Sequence, residues 1–120
     1  MSEAQEQAAL FAWIDNPATE RAYPGIGEAF HVPNGGSRNA IEGRNLKKQG
    51  TRAGEPDVYL LIARGRFHGL AIELKTKTGR VSKAQVERLA QLGERGYFAV
   101  MCRGWDYARQ TMINYLSLPV

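Results

Sequence analysis

Apolar residues recur along this chain with two different periods, and the change of period separates helices from strands. Between Ser2 and Ile14, Leu10, Trp13 and Ile14 make one stripe at helical spacing. Asn16-Pro17 ends that segment, because proline disfavours helical backbone in the residue before it. Glu3, Gln7, Leu10 and Ile14 share one face at steps of four, three and four. A carboxylate and an amide thus extend the stripe that should face the core. Thr19 to Gly27 reads as loop, with Pro24 and two glycines. Glu28 to Val32 is a short strand stopped by Pro33-Asn34-Gly35-Gly36, a strong turn signal. Ser37 to Lys48 is either a short basic helix or an irregular arm. Gly50 to Pro56 is loop, and Asp57 to Ala63 pairs with Phe67 to Thr76 as a hairpin around Arg64-Gly65-Arg66.

Ser82-Lys83-Ala84-Gln85 then matches a capping box, with Ser82 as N-cap. Its helix runs to about Glu94, turns Val86, Leu89, Ala90 and Leu92 toward the core, and ends at Gly96. Tyr97 to Cys102 is an apolar run expected to form a buried strand. Trp105 to Leu116 is a last helix with Ala108, Met112, Tyr115 and Leu116 on one side. That side reads as core more than interface, yet the helix, with Trp105 and Met112, is the best candidate for a dimer contact. Helices interleaved with a short mixed sheet imply an α/β layer fold. At 120 residues the expectation is one domain, 1–120.

Composition narrows the class. Hydrophobic residues make up 43% and charged residues 23%, the proportions of a soluble globular protein. No apolar run approaches the ~20 residues of a membrane span. The start, MSEAQEQ, is polar and acidic rather than a signal peptide, so the expected location is the cytoplasm. One cysteine, Cys102, excludes an internal disulfide; with only His31 and His68 beside it, a zinc site within one chain is improbable.

Charge is uneven. The net value is only +4, but Asn34 to Arg52 carries Arg38, Arg44, Lys47, Lys48 and Arg52 against one acid, Glu42. A second basic group follows Glu73: Lys75, Lys77, Arg80 and Lys83. Two basic clusters flanking a carboxylate pair suggest an anionic partner, and nucleic acid is the commonest large one.

The chemistry lies at the ends of the hairpin. Glu73 and Lys75 point to the same side of their strand, with Leu74 packed the other way. Antiparallel pairing brings Asp57 beside them. Two carboxylates a few Å apart repel and cannot both stay charged cheaply at partial burial. A Mg²⁺ ion removes that problem, since it takes oxygen ligands and needs only one or two carboxylates besides water and substrate phosphate. Lys75 is placed to contact the scissile phosphate or to lower the pKa of an attacking water. Asp57, Glu73 and Lys75 together read as a metal-dependent phosphodiesterase site. Charges on a solvated edge strand are the plain alternative. The apolar flanks argue against it, because idle charges in central strands are costly. In "FHVPNGGSRN", His31 and Asn34 border a turn whose exposed amides suit close approach to DNA, and Arg38 is placed to pair with phosphate; a plain turn is the competing reading. Glu55, before Pro56, is expected to be solvated, and His68 lies at the surface beside the hairpin turn.

Pro56-Asp57, then Glu73-Leu74-Lys75 after a gap of fifteen residues, resembles the PD-(D/E)XK nuclease signature. Gly54-x-Pro56-Asp57, Ile72-Glu73-Leu74-Lys75, Gly79, Ser82-x-x-Gln85 and Glu3-x-x-x-Gln7 in that setting resemble the VRR-NUC domain, from Glu3 to about Asp106. The resemblance implies a restriction-endonuclease-like core, a central mixed four-stranded sheet flanked by helices. It implies Mg²⁺- or Mn²⁺-dependent cleavage of branched DNA, four-way junction or flap, with no small-molecule cofactor. Stand-alone members are similar to Holliday-junction resolvases, which implies a homodimer. Asp57 and Glu73 match the metal-binding carboxylates, Lys75 the catalytic lysine and Glu3 the acid of the first helix; the carbonyl of Leu74 is a further candidate ligand. Glu6 is the competing acid, and the spacing to Gln7 favours Glu3. Gln85 would hydrogen-bond the site or the DNA backbone, or serve only as a cap. Arg38, Arg44, Lys47, Lys48 and Lys77, with His31 and Asn34, are the expected DNA contacts. A non-catalytic nucleic-acid-binding module on the same fold is the reading from another class; it leaves the complete Asp/Glu/Lys set without a use. A hydrolase of some other phosphodiester is a third.

Overall fold

The computed structural model describes residues 1–33 and 40–120. Among the described residues, five α-helices and four strands follow in the order α1 (Glu3–Ile14), α2 (Pro17–Ala22), β1 (Phe30–His31), α3 (Ala40–Lys48), β2 (Val58–Leu60), β3 (Leu70–Lys75), α4 (Lys83–Glu94), β4 (Phe98–Arg103) and α5 (Trp105–Leu116), with a 3-10 turn over Ile26–Glu28. One mixed sheet has the order β1-β2-β3-β4, antiparallel except for the parallel pair β3–β4. α4 is the crossover that a parallel pair requires.

Each face of β3 is covered by a different layer. Leu70, Ile72 and Leu74 join Leu10, Ile14 and Met112 in the main core, under α1 and α5. Ala71 points the other way and joins Tyr59 and Leu92 of α4 in a smaller cluster. Every residue of β3 is buried, which is why Glu73 and Lys75 at its end are exceptional. Among the described residues no helix is long and apolar enough to cross a membrane.

α1, α4 and α5 form where the pattern places them; the hairpin pairs as expected but is strand only over Val58–Leu60 and Leu70–Lys75, and the strand expected over Glu28–Val32 shortens to Phe30–His31. Ser2 and Ser82 each cap a helix through a complete capping box. Ser37–Lys48 resolves in favour of helix over Ala40–Lys48. Further expectations are corrected. Thr19 to Gly27 is not all loop: Asp15 ends α1 and Asn16 caps the next helix, accepting from Ala18 N, with Pro17 in its first turn. Tyr97 to Cys102 does not form a buried strand: β4 is the sheet edge, and only Cys102 of its six residues is buried. Val86 and Ala90 do not face the core but are exposed, Val86 by 54%, because the buried apolar residue of α4 is Leu92. Met112 and Tyr115 of α5 are core, as the pattern favours.

Candidate active site

The register sets the site. Val58 pairs with Ile72, so one step further along the ladder Asp57 stands opposite Glu73. β2 ends there because the Asp57 side chain takes over: its Oδ2 accepts from Leu74 N at 2.8 Å. The Asp57 carbonyl accepts from Val32 N at 2.8 Å and from His31 Nδ1 at 2.8 Å, which ties β1 to the same corner. α1 brings Glu3 across the end of the sheet. Carboxylate oxygens of Glu3, Asp57 and Glu73 all lie within 4.8 Å of one another. Lys75 Nζ lies 3.7 Å from Glu3 Oε1 and 3.9 Å from Glu73 Oε1, on a side chain only 10% exposed.

Glu73 is the most confined member, with a side chain 1% exposed. Its Oε1 accepts from Gln85 Nε2 at 2.9 Å, whereas Oε2 is buried with no hydrogen-bond partner. Burial, followed by the neighbouring Asp57 carboxylate, pushes its pKa up to about 9, against a smaller opposing pull from Lys75. A buried acceptor without a donor, facing two further carboxylates, is the donor set a hard divalent cation takes. The residues therefore fit a hard divalent cation, which Glu3, Asp57 and Glu73 could hold.

Gln85 does both things the sequence left open. Its Oε1 accepts from Ser82 N in the capping box while its Nε2 holds Glu73. The two acids of α1 point to different places. Glu3 stands in the acid group; Glu6 is buried and turned toward α5, where its Oε1 accepts from Trp105 N at 3.3 Å. His31 lines a cavity of about 410 Å³ together with Glu3, Gln7 and Asp57. The side chain of Leu74 is in the core. Arg44, Lys47 and Lys48 are exposed on α3. Lys47 and Arg52 border a groove of about 1110 Å³ whose other wall carries Gln85 and Arg88 of α4. Lys77 is exposed in the turn after β3. Asn34 and Arg38 lie outside the described residues.

Three residues escaped the sequence reading. Glu55 is not solvated: both its carboxylate oxygens contact Arg88 Nε at 3.0 Å, and Tyr59 donates its hydroxyl to it. Arg88 reads from the sequence as one more surface cation, and no local spacing links it to a residue 33 positions away. Arg103 donates to the carbonyls of Thr76 and Gly79 at 3.0 and 2.7 Å, which fixes the turn that follows Lys75.

A mixed sheet flanked by helices, with an acid–lysine cluster at the end of its central strand, defines a nuclease-type fold. The chain belongs to the VRR-NUC domain family, whose model matches residues 1–106. A solved structure described as a VRR_NUC domain protein is similar over 99% of this chain and 91% of that one, with 30% identity and a TM-score of 0.84. No curated protein matches the chain.

Proposed function

We propose that this protein is a Mg²⁺- or Mn²⁺-dependent endonuclease that hydrolyses phosphodiester bonds in branched DNA, four-way junction or flap. One observation carries the reading: carboxylate oxygens of Glu3, Asp57 and Glu73 converge within 4.8 Å of one another, the Glu73 side chain being buried, with Lys75 beside them. The cation supplies Lewis acidity toward water and the scissile phosphate. The chain's own residues do the rest. Lys75 stabilises negative charge developing on the phosphate, or orients the attacking water. Gln85 fixes the Glu73 carboxylate, and the Leu74 carbonyl is a candidate fourth oxygen. His31 is placed to reach the phosphate beside the acid group. Arg44, Lys47 and Lys48, with Arg38, Asn34 and Lys77, hold the flanking backbone, a contact type that gives affinity with little sequence preference. A symmetric homodimer would match the two-fold symmetry of a four-way junction and present one site to each of two opposed strands.

The test is cleavage of four-way junction, flap, duplex and single-stranded DNA with Mg²⁺, Mn²⁺ or chelator. The expected result is metal-dependent nicking of the branched substrates, lowered on the order of 10²–10³-fold by Lys75→Ala. Metal-independent binding without any product would leave a non-catalytic binding module. Equal cleavage of plain duplex would remove the branch preference and leave the nuclease. Sizing the protein alone and on a junction reads the dimer.

A further inference from the structure

The loop into β2 is tied to α4 at two points. Gly54 has φ +83°, and a Cβ on it would meet the Ala84 carbonyl oxygen at 2.7 Å, so the loop backbone lies directly against the helix. One residue on, Glu55 receives Arg88 Nε on both oxygens at 3.0 Å and the Tyr59 hydroxyl as well. Arg88 stands three positions after Gln85 on α4, so the two side chains leave the same face of the helix. Gln85 grips Glu73 at the end of β3. Glu55 is two residues before Asp57. The start of α4 thus holds both strand ends that bring carboxylates to the site. Partly exposed ion pairs add little to stability, and the Glu55 and Arg88 side chains are 20% and 35% exposed. What this pair fixes is a distance.

We propose that Glu55 and Arg88, braced by the Tyr59 hydroxyl, are positioning residues: they hold the Asp57 carboxylate at the spacing from Glu73 that cation binding requires. This rests on the reading that these carboxylates hold a divalent cation. Outer contacts of this kind are worth 10–100-fold in metal affinity in metalloproteins. The direction of the effect separates positioning from plain electrostatics. Removing the positive charge of Arg88 would by charge alone tighten the binding of a nearby cation. Loss of the positioning contact weakens it.

The experiment is Mn²⁺ titration followed by electron paramagnetic resonance, with circular dichroism to check folding. It uses the full chain as wild type, Arg88→Gln, Arg88→Lys, Glu55→Gln and Tyr59→Phe. Glu87→Gln, from an exposed ion pair with Lys83 on the same helix, is the control. Arg88→Gln and Glu55→Gln are expected to raise the Mn²⁺ dissociation constant about 10-fold or more, and Tyr59→Phe by less. Arg88→Lys recovers part of the loss, since an ammonium restores the charge without the planar contact. Glu87→Gln leaves the constant unchanged. Wild-type or tighter binding by folded Arg88→Gln overturns the proposal. If Arg88→Gln does not fold, wild-type binding by Tyr59→Phe and Glu55→Gln overturns it. A wild-type protein that binds no Mn²⁺ overturns the cation reading itself, and this inference with it.

Discussion

Glu3 and Glu6 are one helical turn apart and do unrelated work. Glu6 serves α5, whose own N-cap, Gly104, has no side chain to offer. Glu6→Ala should therefore cost about 1 kcal/mol, the usual worth of a helix cap, with cation binding intact; denaturant unfolding checks it. Glu3→Gln should do the reverse, weakening Mn²⁺ binding while changing the stability of the metal-free protein little, because the Lys75 contact it gives up is 3.7 Å long and half exposed on the Glu3 side. Glu73 sets a pH dependence. In the folded metal-free protein its pKa of about 9 keeps it protonated up to that pH, whereas in the unfolded chain it ionises near the ordinary glutamate value of 4.5. Between those values the folded state binds more protons, so stability falls as pH rises. Thermal unfolding in chelator should show the midpoint dropping across that window, and Glu73→Gln should flatten most of the drop. Asp57 and Glu73 were readable in the sequence because charges at the ends of apolar strands have few uses. Glu55 was not, because its partners lie on β2 and α4.

The elements follow from local pattern wherever one face of a segment is buried. The Ser82 capping box and the stripes of α1 and α5 agree with the structure. Local pattern fails at two kinds of place. A two-turn helix such as α2 buries only Thr19, so periodicity carries no signal there. An apolar run such as β4 does not reveal whether another strand lies beyond it, so an edge strand and a central one read alike. The contact between loop and α4 gives the prediction that belongs at this scale. Gly54→Ala combines a positive φ with a clash against backbone, and should cost on the order of 1–3 kcal/mol in denaturant unfolding. Because the loop leads to Asp57, Mn²⁺ affinity should fall with it.

At the scale of the molecule, cation, fold and DNA are linked. A cation that binds only the folded chain stabilises it by about 2.7 kcal/mol at a concentration 100 times its dissociation constant. Mn²⁺ should thus raise the unfolding midpoint, and do so more at pH 8 than at pH 6, since it must displace the Glu73 proton. If α3 lies along the phosphate backbone, replacing Arg44, Lys47 and Lys48 with Gln should flatten the salt dependence of DNA binding by about 0.9 in log–log slope per residue. From its sequence alone this chain determined an α/β order, the strand that carries Glu73 and Lys75, and the hairpin that must bring Asp57 to them. Those features rest on periodicity and on neighbours a few residues away. Only the tertiary structure decided which acid of α1 joins the group, that Gln85 caps a helix and holds a carboxylate at once, and that Glu55 and Arg88 meet. Those are contacts between residues far apart in the chain, fixed by how α1 and α4 pack on the two faces of one sheet, and no local period records them.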